Sequence, residues 1–271
     1  MTREILLLFL RKELSDLRSN HQVWPAYVLL PIVAVALPLI ILITLPALTD
    51  AARAGHDAGT RMILETVLND PVITGGTIEE RFARVILRDL AVFYLLMPVI
   101  LASSAAALAL VREKEQRTLE PILATPLRDR DLLLAKLIAA VVPAVLLTWG
   151  AASIGIAASL FGAWWRVGVI ILPTAGNIVA LLLLVPVMAA VAALAGLRVS
   201  ARFTDVPGAM QFTGLLVMPL CLVLVALIGR PAMMSPVAGV AGTGFLALLA
   251  LWLFSRNVRK FRREEILTKW R

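Results

Sequence analysis

The sequence predicts an all-α integral membrane protein: six transmembrane helices, an N-terminal interfacial helix and a short helix on the cytoplasmic face. Three observations carry this. Hydrophobic residues make up 60% of the 271-residue chain and mean hydropathy is +0.90, whereas soluble domains are roughly 45–50% apolar. A single core cannot hide that much surface, so lipid must solvate it. Six stretches reach or approach the ~20 apolar residues that cross a hydrocarbon layer: 23–48, 91–111, 137–161, 178–197, 212–228 and 236–254. None of them contains Asp, Glu, Lys, Arg or His. The formal charge of +8 sits in the segments between these stretches, which is the pattern of membrane topology and not of nucleic-acid binding.

Orientation follows from the basic residues. With the N-terminus inside, 19 Lys and Arg lie on the cytoplasmic side and seven outside. An even number of spans then leaves both termini cytoplasmic.

In residues 1–22, Leu6, Leu10, Leu14 and Leu17 share one helical face, while Arg3, Arg11, Lys12 and Arg18 reach headgroups or water. That is the pattern of an interfacial helix, the alternative being an ordinary solvated N-terminal arm. The apolar run 5–10 is too short for a cleavable signal, so the first span reads as a retained anchor. The outer segment 49–90 contains turns at Asn69-Asp-Pro-Val and Gly75-Gly76. Thr77-Ile-Glu-Glu80 is a capping-box pattern that starts a helix over 78–90, feeding the second span. The segment either covers the outer mouth of a pathway or spaces two spans. The apolar stretch 167–173 is too short to cross, and lies at the outer surface or extends the fourth helix.

Small residues at Ala102–Ala107, at Ala151, Gly155 and Ser159, and at Gly239, Gly242 and Gly244 allow close helix packing. The single cysteine, Cys221, lies in an apolar run and forms no intrachain disulfide. Residues 255–271 form a basic cytoplasmic tail.

Enzyme chemistry finds no support. His21 and His56 are isolated, and there is no H-E-x-x-H zinc pair. Ser153 sits in GAASIG, which is not a nucleophile elbow. No phosphate-cradling G-x-x-x-x-G-K-[ST] loop occurs. No catalytic or metal residue is assigned. Proton-coupled carriers keep ionisable side chains in the membrane, and these spans have none, so uphill transport would draw its energy from a partner. Sodium coupling through hydroxyls and carbonyls stays open. Ser103, Ser104, Thr148 and Ser153 either face a pathway or bond within their own helices. No substrate-binding residue is assigned.

The loop 112–136 has its own structure. A charged run (Arg112, Glu113, Lys114, Glu115, Arg117) precedes Thr118, which can cap a short helix. Pro121 is tolerated in its first turn, where amides lack intrahelical partners. Leu119, Ile122 and Leu123 make an apolar patch, and Thr125-Pro126 ends the helix. Asp129 or Asp131 caps the helix that enters the membrane at Leu132. Such an element suits docking into a partner's groove, or it is a plain basic loop.

The run EKEQRTLEPILATP from Glu113 to Pro126, followed by Leu132-Leu-Leu-Ala-Lys136, resembles the cytoplasmic loop of ABC-2 type permeases. Arg117 stands where that family often has glycine. The KELSDL from Lys12, the stretch Arg202 to Pro219 and the tail FRREEIL from Phe261 are similar to other parts of the family pattern. The resemblance implies the permease subunit of an ATP-binding-cassette exporter in the bacterial cytoplasmic (inner) membrane. Two ATPase subunits would carry ATP and Mg, and a second permease copy or a related permease would complete the complex. By the same resemblance, the helix over 118–125 is a coupling helix. Leu119, Leu123 and Ala124 would fill the ATPase groove, bounded by Thr118, Thr125 and Pro126, and Glu113, Glu115 and Glu120 would pair with basic residues nearby or on the partner. The chain itself would bind no cofactor and no nucleic acid, only its protein partners and membrane lipid. The alternatives are a secondary carrier or channel without an ATPase, and an assembly protein that transports nothing.

Overall fold

Amides in hydrocarbon have no water to bond, so each apolar stretch must satisfy its own backbone by coiling into helix. A computed structural model of the protein describes residues 11–12, 15, 23–54, 59, 65, 67–69, 76–115, 129–168, 170–226 and 235–260. It contains six helices long and apolar enough to cross a membrane. They are α1 (Trp24–Ala54), α2 (Ile78–Glu115), α3 (Asp129–Val167), α4 (Ala175–Ser200), α5 (Val206–Ala226) and α6 (Pro236–Lys260). No strand occurs among the described residues, so the six-span all-α class holds. The helix expected over 118–125 lies outside the described residues, as does most of segment 1–22.

α2 and α3, at 38 and 39 residues, are each nearly twice as long as the ~30 Å hydrocarbon layer at ~1.5 Å per residue. They therefore project beyond it. α2 starts where Thr77 Oγ1 accepts from the Glu80 amide at 3.2 Å, after Gly76 turns the chain at φ +84°. From there it runs without a break to Glu115. At this end Phe82 and Ala83 of α2 pack with Leu42 and Leu45 of α1 and Ala163 of α3 in a small separate core.

α2 is the centre of the bundle, touching α1, α3, α4 and α5. Its most extensive contact is with α4. Lipid is as apolar as leucine, so helices associate here through close backbone approach and not through hydrophobic expulsion. Ala102, Ala105 and Ala106 of α2 and Ala189, Ala192 and Ala193 of α4 are all buried. A methyl group built on Gly196 of α4 would lie 2.6 Å from the Ser103 carbonyl oxygen, so no larger residue fits there. α6 sits at the edge, packed on α4 through Gly239 against Val179 and Gly242 against Leu184.

Proline and a π turn leave carbonyls without backbone donors, and side chains from neighbouring helices supply them. Pro38 has no N–H for the Ala34 carbonyl one turn earlier. Tyr94 Oη of α2 donates to that oxygen at 3.2 Å. Gly155 of α3 leaves room for it, since a methyl there would fall on the tyrosine hydroxyl. α4 contains a π segment, Ala180–Leu184. With five-residue spacing, the donor to Leu181 would be Pro186, which has none; Trp149 Nε1 of α3 donates instead, at 2.9 Å. Tyr27 Oη of α1 also bonds the Leu101 carbonyl of α2, at 3.3 Å.

Of the polar candidates in the spans, Ser103 and Ser104 both donate to the Ile100 carbonyl, and Thr148 donates to Ala144. Each is bonded within its own helix. Ser153 is exposed on α3.

Candidate functional site

The last turn of α2 reads Arg112, Glu113, Lys114, Glu115, and it is still helical. Consecutive residues on a helix point about 100° apart. On a helix surrounded by neighbours, three successive side chains therefore reach three different partners, and here each one does.

Glu113 turns to α3. Its Oε1 accepts from Lys136 Nζ at 2.8 Å, with side chains 7% and 0% exposed respectively. Lys136 also donates to the Ala109 carbonyl at 3.0 Å. Lys12, from the N-terminal segment, reaches the same carboxylate oxygen at 3.3 Å. A buried ion pair adds little net stability over apolar packing, because desolvation cancels most of the attraction. Its consequence is geometric: α2, α3 and the N-terminal segment meet at one oxygen.

Lys114 turns to the end of α4. Its Nζ donates to the carbonyls of Ser200, Ala201 and Phe203 at 3.1, 2.9 and 3.0 Å. An ammonium group has three protons, and the carbonyls closing α4 take all three. Ser200 adds a second tie, its hydroxyl oxygen accepting from the Leu110 and Val111 amides of α2 at 2.9 and 3.2 Å.

Glu115 turns to the start of α5. Its Oε1 accepts from the Val206 amide at 3.3 Å. Asp205 Oδ2 adds the neighbouring cap, accepting from the Gly208 amide at 2.7 Å. The order of signs is physically apt. A helix carries partial negative charge at its C-terminus and partial positive charge at its N-terminus. The lysine meets the first kind of end and the glutamate the second.

The predicted site residues thus divide. Glu113 and Glu115 lie on α2, and the structure ties the first to α3 and the second to the start of α5. Thr118, Leu119, Glu120, Leu123, Ala124, Thr125 and Pro126 lie outside the described residues. Sequence reasoning passed over Lys12, Lys114, Lys136 and Ser200 as site residues. The available signal was charge continuous with an apolar span, with no turn residue between Val111 and Glu115. Among the described residues, no three His, Cys, Asp or Glu side chains gather as metal ligands would.

A family model described as ABC-2 family transporter protein matches residues 7–178. No curated protein and no solved structure matches the chain. The matched stretch includes the Glu113–Lys136 pair, whereas the α4–α5 turn held by Lys114 and Glu115 follows it. More than half of the chain is covered: it belongs to the ABC-2 transporter family, as a multi-pass permease component.

Proposed function

We propose that this ABC-2 family member is the transmembrane permease subunit of an exporter driven by separate ATPase chains. It forms the substrate pathway and hydrolyses nothing itself. One observation carries the coupling: the final turn of α2 binds α3, α4, α5 and the N-terminal segment, and residues 116–128 follow it directly. A push on that segment is delivered to most of the bundle at once.

In this reading Thr118, Leu119, Glu120, Leu123, Ala124, Thr125 and Pro126 form the docking element for the ATPase. Glu113 and Glu115, both engaged within the bundle, transmit its movement. The charge asymmetry of 19 basic residues to seven supports a cytoplasmic location for this end and both termini, and the family resemblance supports a bacterial inner membrane. Two permease copies, or this chain with a related permease, pair with two ATPase subunits that hold ATP and Mg.

The test is reconstitution in proteoliposomes. The purified chain alone should hydrolyse no ATP, and hydrolysis coupled to transport should appear when its ATPase is added. Leu123→Asp should abolish that coupling while membrane insertion stays normal. ATP hydrolysis by the isolated chain, or normal coupling in the variant, would overturn the reading.

A further inference from the structure

Beside the Glu113 turn, three arginines stand together without a carboxylate. Arg198 is in the last turn of α4, Arg202 is in the turn that follows, and Arg256 is near the end of α6. The charges of Arg256 and Arg202 act directly on Arg198. Asn257 Nδ2 holds α6 to α4 at this level by donating to the Leu194 carbonyl at 2.9 Å. Among the described residues, none of the three guanidinium groups has an ion-pair partner.

Basic residues at a helix C-terminus ordinarily compensate the helix dipole. That role is already filled, because the carbonyls of Ser200, Ala201 and Phe203 belong to Lys114. The nearby carboxylates are also engaged, Glu115 with the Val206 amide and Asp205 with the Gly208 amide. Three like charges at a membrane boundary repel one another, and an anion placed among them relieves that repulsion.

The surface next to the cluster identifies the kind of anion. On α6, Phe245, Leu248, Trp252 and Arg256 follow one another at helical spacing along one face. The three apolar members are 69%, 69% and 51% exposed. The Arg256 guanidinium lies 5.0 Å from the Trp252 ring centroid, so the stripe leads straight to the cationic head. A cationic cluster above an exposed apolar stripe complements an amphiphile with an anionic head and a hydrocarbon tail. A soluble anion would leave the stripe unused.

We propose that Arg198, Arg202 and Arg256 bind the phosphate of an anionic phospholipid whose acyl chain lies along Trp252, Leu248 and Phe245. The leaflet follows from the orientation proposed above. The site does not depend on that orientation, nor on an ATPase partner.

The experiment uses the full chain in phosphatidylcholine nanodiscs titrated with phosphatidylglycerol, with retained lipids counted by native mass spectrometry. The wild type should retain phosphatidylglycerol over phosphatidylcholine. Arg198→Gln and Arg256→Gln should each weaken that preference about fivefold, the ratio expected for one basic residue near an anionic surface. Leu248→Ser should weaken it as well, since the tail contributes. Arg198→Lys with Arg256→Lys keeps the charge, guards against misfolding of the glutamine variants, and should retain most of the preference. Equal retention of the two lipids by the wild type would overturn the site, as would a wild-type preference in the double glutamine variant. Displacement by inorganic phosphate would overturn the lipid assignment in favour of a free-anion site.

Discussion

α2 and α6 cross the same membrane with closely similar mean hydropathy, yet 78% of α2's membrane window is buried within the bundle and none of α6's. Hydropathy registers the solvent a helix can enter, and lipid and protein interior are nearly the same solvent to a leucine. The difference lies in side-chain size and in the charges at the ends. α2 carries alanines and serines from 102 to 107 and finishes in charges directed at other helices. α6 carries Phe245, Leu248, Leu251 and Trp252 outward and finishes in arginines.

The comparison breaks most sharply if the end charges of α2 are reversed. Exchanging them, Lys114→Glu with Glu115→Lys, keeps composition and net charge but turns a carboxylate onto three carbonyls. Stability should fall by about 3–5 kcal/mol, the cost of an uncompensated buried charge, read as a lower unfolding temperature in detergent. If the exchange were silent, the last turn of α2 would not be the clamp described above.

A matched pair of glycine substitutions comes next. Gly196→Ala forces α4 away from the Ser103 carbonyl and should cost about 1–3 kcal/mol, as overpacking does. A methyl group added at Gly244 of α6 would meet nothing within 4 Å. Gly244→Ala should therefore be neutral or gain up to ~1 kcal/mol of helix propensity. Equal losses at both sites would mean that α6 has a close partner in the membrane.

The smallest effect is expected on α5. Thr213 is 2% exposed, and its hydroxyl has no hydrogen-bond partner among the described residues. Thr213→Val removes a buried polar group of nearly the same shape and should change stability by less than about 1 kcal/mol, in the favourable direction. A clear loss would show that the hydroxyl is engaged when the protein sits in lipid.

Much of this architecture is legible in the sequence. Lipid imposes helix on every apolar stretch, so the six spans follow from hydropathy alone. The start of α2 at Ile78 is readable because capping is local chemistry. The end of α2 is not. Glu113, Lys114 and Glu115 read as the charged start of a cytoplasmic loop, with the two glutamates pairing to basic residues nearby or on a partner, and not as the last turn of a span. Their partners Lys136, Ser200 and Val206 stand far along the chain, and no local rule connects them. The Leu181–Trp149 bond is equally hidden, although Pro186 inside an apolar run announces that some carbonyl nearby lacks its donor.

That π turn has a consequence for how α4 tolerates change. It holds one residue more than an α-helical path needs. Deleting a single leucine from the run 181–184 would let the helix close into regular geometry with little strain in its own backbone. Because the wide turn absorbs that residue, the segments on either side would keep their phase, with Val179 still on Gly239 and the Leu181 carbonyl, whose donor would again be Pro186, still met by Trp149. The π turn is thus the one place where α4 can lose a residue and still present Val179 to Gly239 of α6.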